Sequence, residues 1–83
     1  MEQAKVSHKT SVAKLAGFIT AVLQREDAVK LVAMNDTAIA KAVRAIGLAS
    51  ERNGLAYPTT IETDWHTFED GTRVMKAEFT VNR

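Results

Sequence analysis

The 83-residue sequence has no cysteine, a single proline and no long apolar run. Without cysteine the chain can form neither disulfides nor thiolate metal centres, so nothing indicates an oxidising compartment. A membrane-spanning helix needs about 20 consecutive apolar residues, a length that no segment approaches. The first ten residues are polar and mixed, unlike the basic and then apolar start of a secretory signal. We therefore expect one cytoplasmic domain spanning residues 1–83.

Net charge is also scarce, at +1, but it is unevenly distributed along the chain. Residues 1–55 carry eight basic and five acidic side chains, which leaves +3. Residues 56–83 carry three basic and five acidic side chains, which leaves −2. An anionic partner should therefore meet the N-terminal two thirds of the chain.

The apolar periodicity predicts the order strand, helix, strand, helix and then a hairpin of two strands. The predicted strands are Ala4–Ser7, Ala28–Met34, Tyr57–Phe68 and Thr72–Val81. The first helix starts at Val12 after a Thr10 or Ser11 cap, and the second runs from an Asn35 or Asp36 cap to Gly54. A right-handed crossover makes the first two strands parallel. The predicted fold is an α/β two-layer sandwich, with both helices on one face of a four-stranded mixed sheet.

Two faces of the second helix and the hairpin register complete this prediction. A Glu69–Gly71 loop with Gly71 left-handed puts apolar residues on one hairpin face, whereas a two-residue turn mixes the faces. The three-residue loop gives the pairs Trp65–Met75, Ile61–Phe79, Asp64–Lys76 and an unexplained Glu62–Glu78.

The expected inward positions of the second helix are Ile39, Ala42, Val43, Ile46 and Ala49. Its other face carries Lys41, Arg44, Leu48 and Arg52.

Catalytic motifs are missing from the sequence. His8 and His66 are too few for a zinc cluster and lack helical ligand spacing. No nucleophile elbow, phosphate loop or dinucleotide fingerprint is present. Strand carboxylates such as Asp64 and Glu78 are ordinarily solvated, so we expect no enzyme, no cofactor and no metal site.

The segment Ser7–Ser11 links the first strand to a helix start, where free N–H groups and the positive dipole end favour an anion. Lys9 and Lys14 add cations, and the hydroxyls of Thr10 and Ser11 can donate to phosphate. The alternative is an ordinary helix cap among surface lysines. The cationic stripe of the second helix likewise has a plain alternative as a solvated face.

Two aromatic residues near the hairpin end can stack on bases or wedge into a groove. Trp65 shares its face with apolar neighbours, which favours a core position instead. Phe68 falls on the polar face beside the tip and is the better contact candidate.

The segments Val6–Ser11 and Leu15–Gly17 resemble the start of the stage V sporulation protein S family, and Ala38–Ile46 is similar to its alanine-rich second helix. The resemblance covers about Val6–Ala49. It implies a small, bacterial, Alba-like, dimeric protein with a nucleic-acid-binding or regulatory function. By position, the family's loop lysine falls on Lys9, and its helix-two basic residues on Lys41 and Arg44. The family's basic hairpin arm corresponds to Glu69–Arg73, which is mostly acidic here.

The predicted function is sequence-tolerant binding of the DNA or RNA phosphate backbone by a homodimer, with a higher oligomer left open. The predicted contacts are Lys9, Thr10, Ser11, Lys14, Lys41, Arg44, Phe68 and Arg73. The alternative is a protein-interaction module of the same fold that has lost nucleic-acid contact, favoured by the acidic hairpin and an exposed Leu48.

Overall fold

The computed structural model describes residues 1–83 and contains six elements in the predicted order. They are β1 Glu2–Val6, α1 Val12–Arg25, β2 Ala28–Met34, α2 Asp36–Asn53, β3 Thr59–Thr67 and β4 Arg73–Asn82. The strands form one sheet in the order β1-β2-β4-β3. β1 and β2 pair in parallel, and the other two pairs are antiparallel. The predicted mixed α/β sheet is therefore confirmed, with β1 starting two residues earlier than expected.

Local sequence sets the ends of both helices. The Ser11 hydroxyl caps α1 by accepting the Lys14 N–H at 3.3 Å, and Asn35 Oδ1 caps α2 by accepting the Ala38 N–H at 2.9 Å. Asn35 adopts a φ of 86°, which asparagine tolerates better than most residues. Gly54, with a φ of 63°, ends α2 in the left-handed conformation that the Asn53-Gly54 pair predicts. Neither helix is long and apolar enough to cross a membrane.

The core lies between the helices and the inner face of the sheet, and its buried residues are all hydrophobic. α2 contributes only alanines to the fully buried set: Ala38, Ala42, Ala45 and Ala49. Their small side chains bring the helix close to the sheet. The expected inward position of Val43 is wrong, because this side chain is 53% exposed. The expected exposure of Leu48 is also wrong, because this side chain is half-buried against the core.

The hairpin has the register that the three-residue loop predicts, from Thr59 opposite Val81 to Trp65 opposite Met75. Gly71 is left-handed with a φ of 88°, and the loop is closed by the Phe68 N–H donating to the Thr72 carbonyl at 2.8 Å. A side chain with a Cβ is strained at that φ, so the glycine fixes the loop and with it the register.

Trp65 is not in the core, contrary to the interpretation favoured by its apolar neighbours. β3 is the edge strand, and its inward-facing Ile61 and Trp65 are 55% and 54% exposed. The alternation along the strand is correct, but the helices cover β1, β2 and β4 rather than β3. The apolar side of β3 therefore lies on the same face of the sheet as the helices but is exposed to solvent.

Candidate nucleic-acid interface

The β1–α1 loop is a tight turn held by its own side chains. The Ser7 N–H donates to Thr10 Oγ1 at 2.8 Å, and the Thr10 N–H donates to the Ser7 carbonyl at 3.1 Å. The Lys9 N–H donates to Ser7 Oγ at 3.1 Å. These bonds hold the loop backbone in one conformation and leave the Lys9 side chain exposed at its apex.

The start of α1 has hydrogen-bond donors that find no acceptor within the protein. The N–H groups of Val12 and Ala13 have no acceptor within the protein, as expected for the first turn of a helix. Ser11 Oγ accepts from the Lys14 N–H, which leaves its own proton free to donate. Outward-directed N–H and O–H groups at the positive end of a helix are suited to an anion.

Side chains from α2 reach this loop and the first turn of α1. Lys41 Nζ donates to the carbonyls of His8 at 2.5 Å and Thr10 at 2.9 Å. Arg52 Nη1 approaches the Ala13 carbonyl at 3.4 Å. Lys41 thus uses two of its three protons to fix the loop, so its first role here is positioning. Arg52 was absent from the predicted contacts, although it lies on the same helical stripe as Lys41.

The cations around the start of α1 have no acidic partners. We call Lys9, Lys14, Lys41, Arg44 and Arg52 the basic surface. The three ion pairs of the molecule lie elsewhere: Arg25–Glu2, Lys76–Glu78 at 3.8 Å and Arg83–Asp27 at 2.6 Å. Since no carboxylate neutralises the basic surface, its positive field is available to a partner.

The remaining predicted contacts lie on the hairpin and are not joined to the basic surface by any hydrogen bond or ion pair. Phe68 is 44% exposed and meets His66 edge to face, with ring centroids 4.6 Å apart. The Arg73 guanidinium lies 4.8 Å from the centroid of the Trp65 ring. The predicted residues therefore form two groups. Six lie on the Ser7–Ser11 loop, the first turn of α1 and α2, and two lie on the hairpin.

The hairpin tip is acidic. The Thr72 hydroxyl and backbone N–H hydrogen-bond to the Asp70 carboxylate and lower its pKa, the N–H at a distance of 2.9 Å. Glu69 adds a second exposed carboxylate. This charge opposes any approach of phosphate to the tip, in contrast to the basic surface.

The element order, the sheet and the two helices on one face define an Alba-like α/β fold. "Alba from Thermoplasma volcanium" is similar in structure, with a TM-score of 0.71 over 99% of this chain and 100% of that chain. The sequence identity is 20%. The model of the stage V sporulation protein S (SpoVS) family matches residues 2–55. The chain belongs to the SpoVS family, which confirms the resemblance seen in the sequence. A sequence search of curated proteins returns no match.

Proposed function

We propose that this protein is a non-enzymatic, cytoplasmic binder of DNA or RNA phosphates that acts as a homodimer and tolerates many sequences. The observation that carries the proposal is the basic surface around the free N–H and hydroxyl groups at the start of α1. Contacts of these kinds position a protein on a nucleic acid without reading base sequence. Membership of the SpoVS family and the Alba-like fold support the same class of partner.

Within this proposal the basic-surface residues have different roles. Lys9, Lys14 and Arg44 are exposed and unpaired, so they meet phosphates directly. Lys41 holds the Ser7–Ser11 loop in the conformation that presents the donors, with one ammonium proton left for phosphate. Neutralising phosphates releases counterions, and this release is the driving force for binding.

A homodimer is supported by exposed apolar side chains on two elements. Val43 on α2 is 53% exposed, and Ile61 is 55% exposed on the edge strand β3, which no helix covers. Burying such side chains against a second copy removes apolar surface from water. Two basic surfaces on one dimer then bind with an avidity that one surface lacks.

The test is fluorescence anisotropy of labelled duplex and single strands over a series of salt concentrations. We expect log affinity to fall linearly with log salt, with a duplex slope of about −0.9 per phosphate neutralised. Lys9→Glu with Lys14→Glu should weaken binding by about tenfold or more. Lys5→Glu with Lys30→Glu is the matched control, because it makes the same charge change on the opposite face of the sheet. Equal losses in both double variants would contradict a localised basic surface.

A second candidate function is a protein-interaction module, favoured by the acidic side chains of Asp70 and Glu69 at the exposed hairpin tip. Its signature is the recovery of one stoichiometric protein partner after nuclease treatment. The absence of any anisotropy change at low salt would favour this function over the first.

A further inference from the structure

A cleft of about 280 Å³ lies where the hairpin meets the start of α2. Its lining residues are Asn35, Asp36, Trp65, Arg73, Val74 and Met75. We call it the Trp65 cleft. It is open to solvent, so an extended polymer can reach it without a conformational change.

The cleft offers one large aromatic surface. Trp65 is the only tryptophan of the chain and is 54% exposed. The Arg73 guanidinium lies over one face of the ring, 4.8 Å from its centroid, so a base would stack on the other face of the indole. An exposed indole with a neighbouring guanidinium is a surface on which a planar, electron-rich ring stacks.

The rim of the cleft adds hydrogen-bonding groups that have no partner within the protein. Asn35 Oδ1 is used by the Ala38 N–H, but the Asn35 Nδ2 protons have no acceptor. The Asp36 carboxylate and the Arg73 guanidinium take part in no ion pair or side-chain hydrogen bond. The cleft thus combines a stacking face, a free donor, a free acceptor and a cation.

We infer that the Trp65 cleft binds one unpaired nucleobase of a single-stranded nucleic acid, an assignment that rests on the proposed function. The base stacks on Trp65, its polar edge meets Asn35 and Asp36, and Arg73 reaches the adjoining phosphate. In a duplex the faces of the bases are stacked on one another, so only an unpaired base can offer a face to the indole. Sealing the cleft under a second copy is disfavoured, because it would bury the unpaired charges of Asp36 and Arg73.

The single tryptophan gives a direct readout, since every change in tryptophan emission reports on Trp65. The full chain is titrated with three probes that share one backbone length: a mixed-sequence single strand, its duplex, and an abasic single strand. We expect all three to change the anisotropy of a label, and only the intact single strand to quench tryptophan emission. Stronger quenching by a free nucleoside monophosphate than by the strand would overturn the assignment to a polymer.

Variants separate stacking from general affinity. Trp65→Ala should weaken single-strand binding by about tenfold and leave duplex binding unchanged, whereas Trp65→Phe should retain most of the affinity. Leu55→Ala removes an equally exposed apolar side chain and should change neither affinity. Equal single-strand affinity in wild type and Trp65→Ala would overturn the assignment. So would tryptophan emission that shifts with protein concentration but not with nucleic acid, because that result puts Trp65 in a subunit interface.

Failure of the proposed function has a different signature. Loss of all anisotropy changes, with every probe, would remove both the proposed function and the base site. Anisotropy changes without quenching by the intact strand would remove the base site alone.

Discussion

The first 55 residues and the last 28 differ in charge and in how deeply they are buried. The N-terminal part has a net charge of +3 and supplies both helices, whereas the C-terminal hairpin has −2. Thirteen of the 16 buried residues lie in the N-terminal part. The other three are Ala77, Phe79 and Val81, all on β4, and β3 has none. The hairpin is therefore anchored to the core through β4, whereas β3 remains exposed.

The two groups of candidate contacts differ in how firmly the rest of the structure holds them. Around the basic surface, hydrogen bonds from Lys41 and within the Ser7–Ser11 loop hold the donors on a packed scaffold. On the hairpin, Phe68 packs edge to face against His66, and the Arg73 guanidinium lies over the Trp65 ring, both at exposed positions. We expect the first group to be preformed and the second to adjust to the ligand.

The largest expected effect tests whether β4 belongs to the core while the hairpin tip lies outside it. Phe79→Ala should destabilise the fold by about 3–5 kcal/mol, because Phe79 is 1% exposed and fills the core under the helices. Phe68→Ala should change the free energy of unfolding by no more than about 0.5 kcal/mol. Urea unfolding followed by circular dichroism measures both. A cost for Phe68→Ala as large as that for Phe79→Ala would mean that the tip belongs to the core.

The hairpin register and loop could be predicted from the sequence because the side-chain period of a strand is two. A shift of one residue moves every apolar side chain to the other face, so only the loop with left-handed Gly71 fitted the pattern. The sequence limits each helix cap to two candidates, Thr10 or Ser11 and Asn35 or Asp36, and the structure has Ser11 and Asn35. These caps and the terminator Gly54 could be predicted because each residue type has a local conformational role.

The exposure of Val43 and Trp65 could not be predicted, because it depends on which element covers which. A periodicity argument gives more weight to the large apolar Val43 than to the alanines and so places Val43 on the inward face. In the structure, α2 packs closely with its alanine side inward and leaves Val43 exposed. Trp65 is on the inward face, as its period requires, but on a strand beyond the reach of the helices. Similarly, Lys41 was expected at phosphate from its charge, and its bonds to two loop carbonyls depend on tertiary contacts.

The next effect concerns the apolar side that the monomer leaves uncovered. Ile61→Asp should convert a homodimer into a monomer, because a buried unpaired carboxylate is costly, and light scattering should show the mass halved. Loss of avidity should then weaken nucleic-acid binding by about a hundredfold. Leu55→Asp is the matched control, since Leu55 is 57% exposed and outside the proposed interface. An unchanged mass for Ile61→Asp would exclude this face as the dimer contact.

Replacing an acidic residue of the hairpin tip by a basic one should make the tip more like the basic surface in charge. Glu69→Lys is expected to strengthen duplex binding by up to about tenfold and to steepen the salt dependence by about one phosphate contact. Glu69 is the residue to change, because Asp70 holds the loop through Thr72. Glu26→Lys makes the same change at the end of α1 and controls for net charge. If both variants gain equally, the location of the acidic tip has no influence on binding.

The smallest effect concerns the pH at which the tip loses its charge. Hydrogen bonds from the Thr72 hydroxyl and N–H lower the pKa of Asp70, so NMR titration of its carboxyl carbon should give a midpoint below the ordinary 3.8. Because the folded pKa is the lower one, the stability that these bonds add is complete above the unfolded pKa. It is lost as the pH falls through the folded pKa.

Thr72→Val removes the hydroxyl and keeps the N–H, so it should move the Asp70 midpoint part of the way back toward 3.8. A wild-type midpoint at or above 3.8 would show that the Thr72 bonds do not hold in solution. With a lowered pKa, mild acidification cannot neutralise the Asp70 charge. Asp70 should therefore keep its negative charge at the tip, in contrast to the basic surface, under mild acidification.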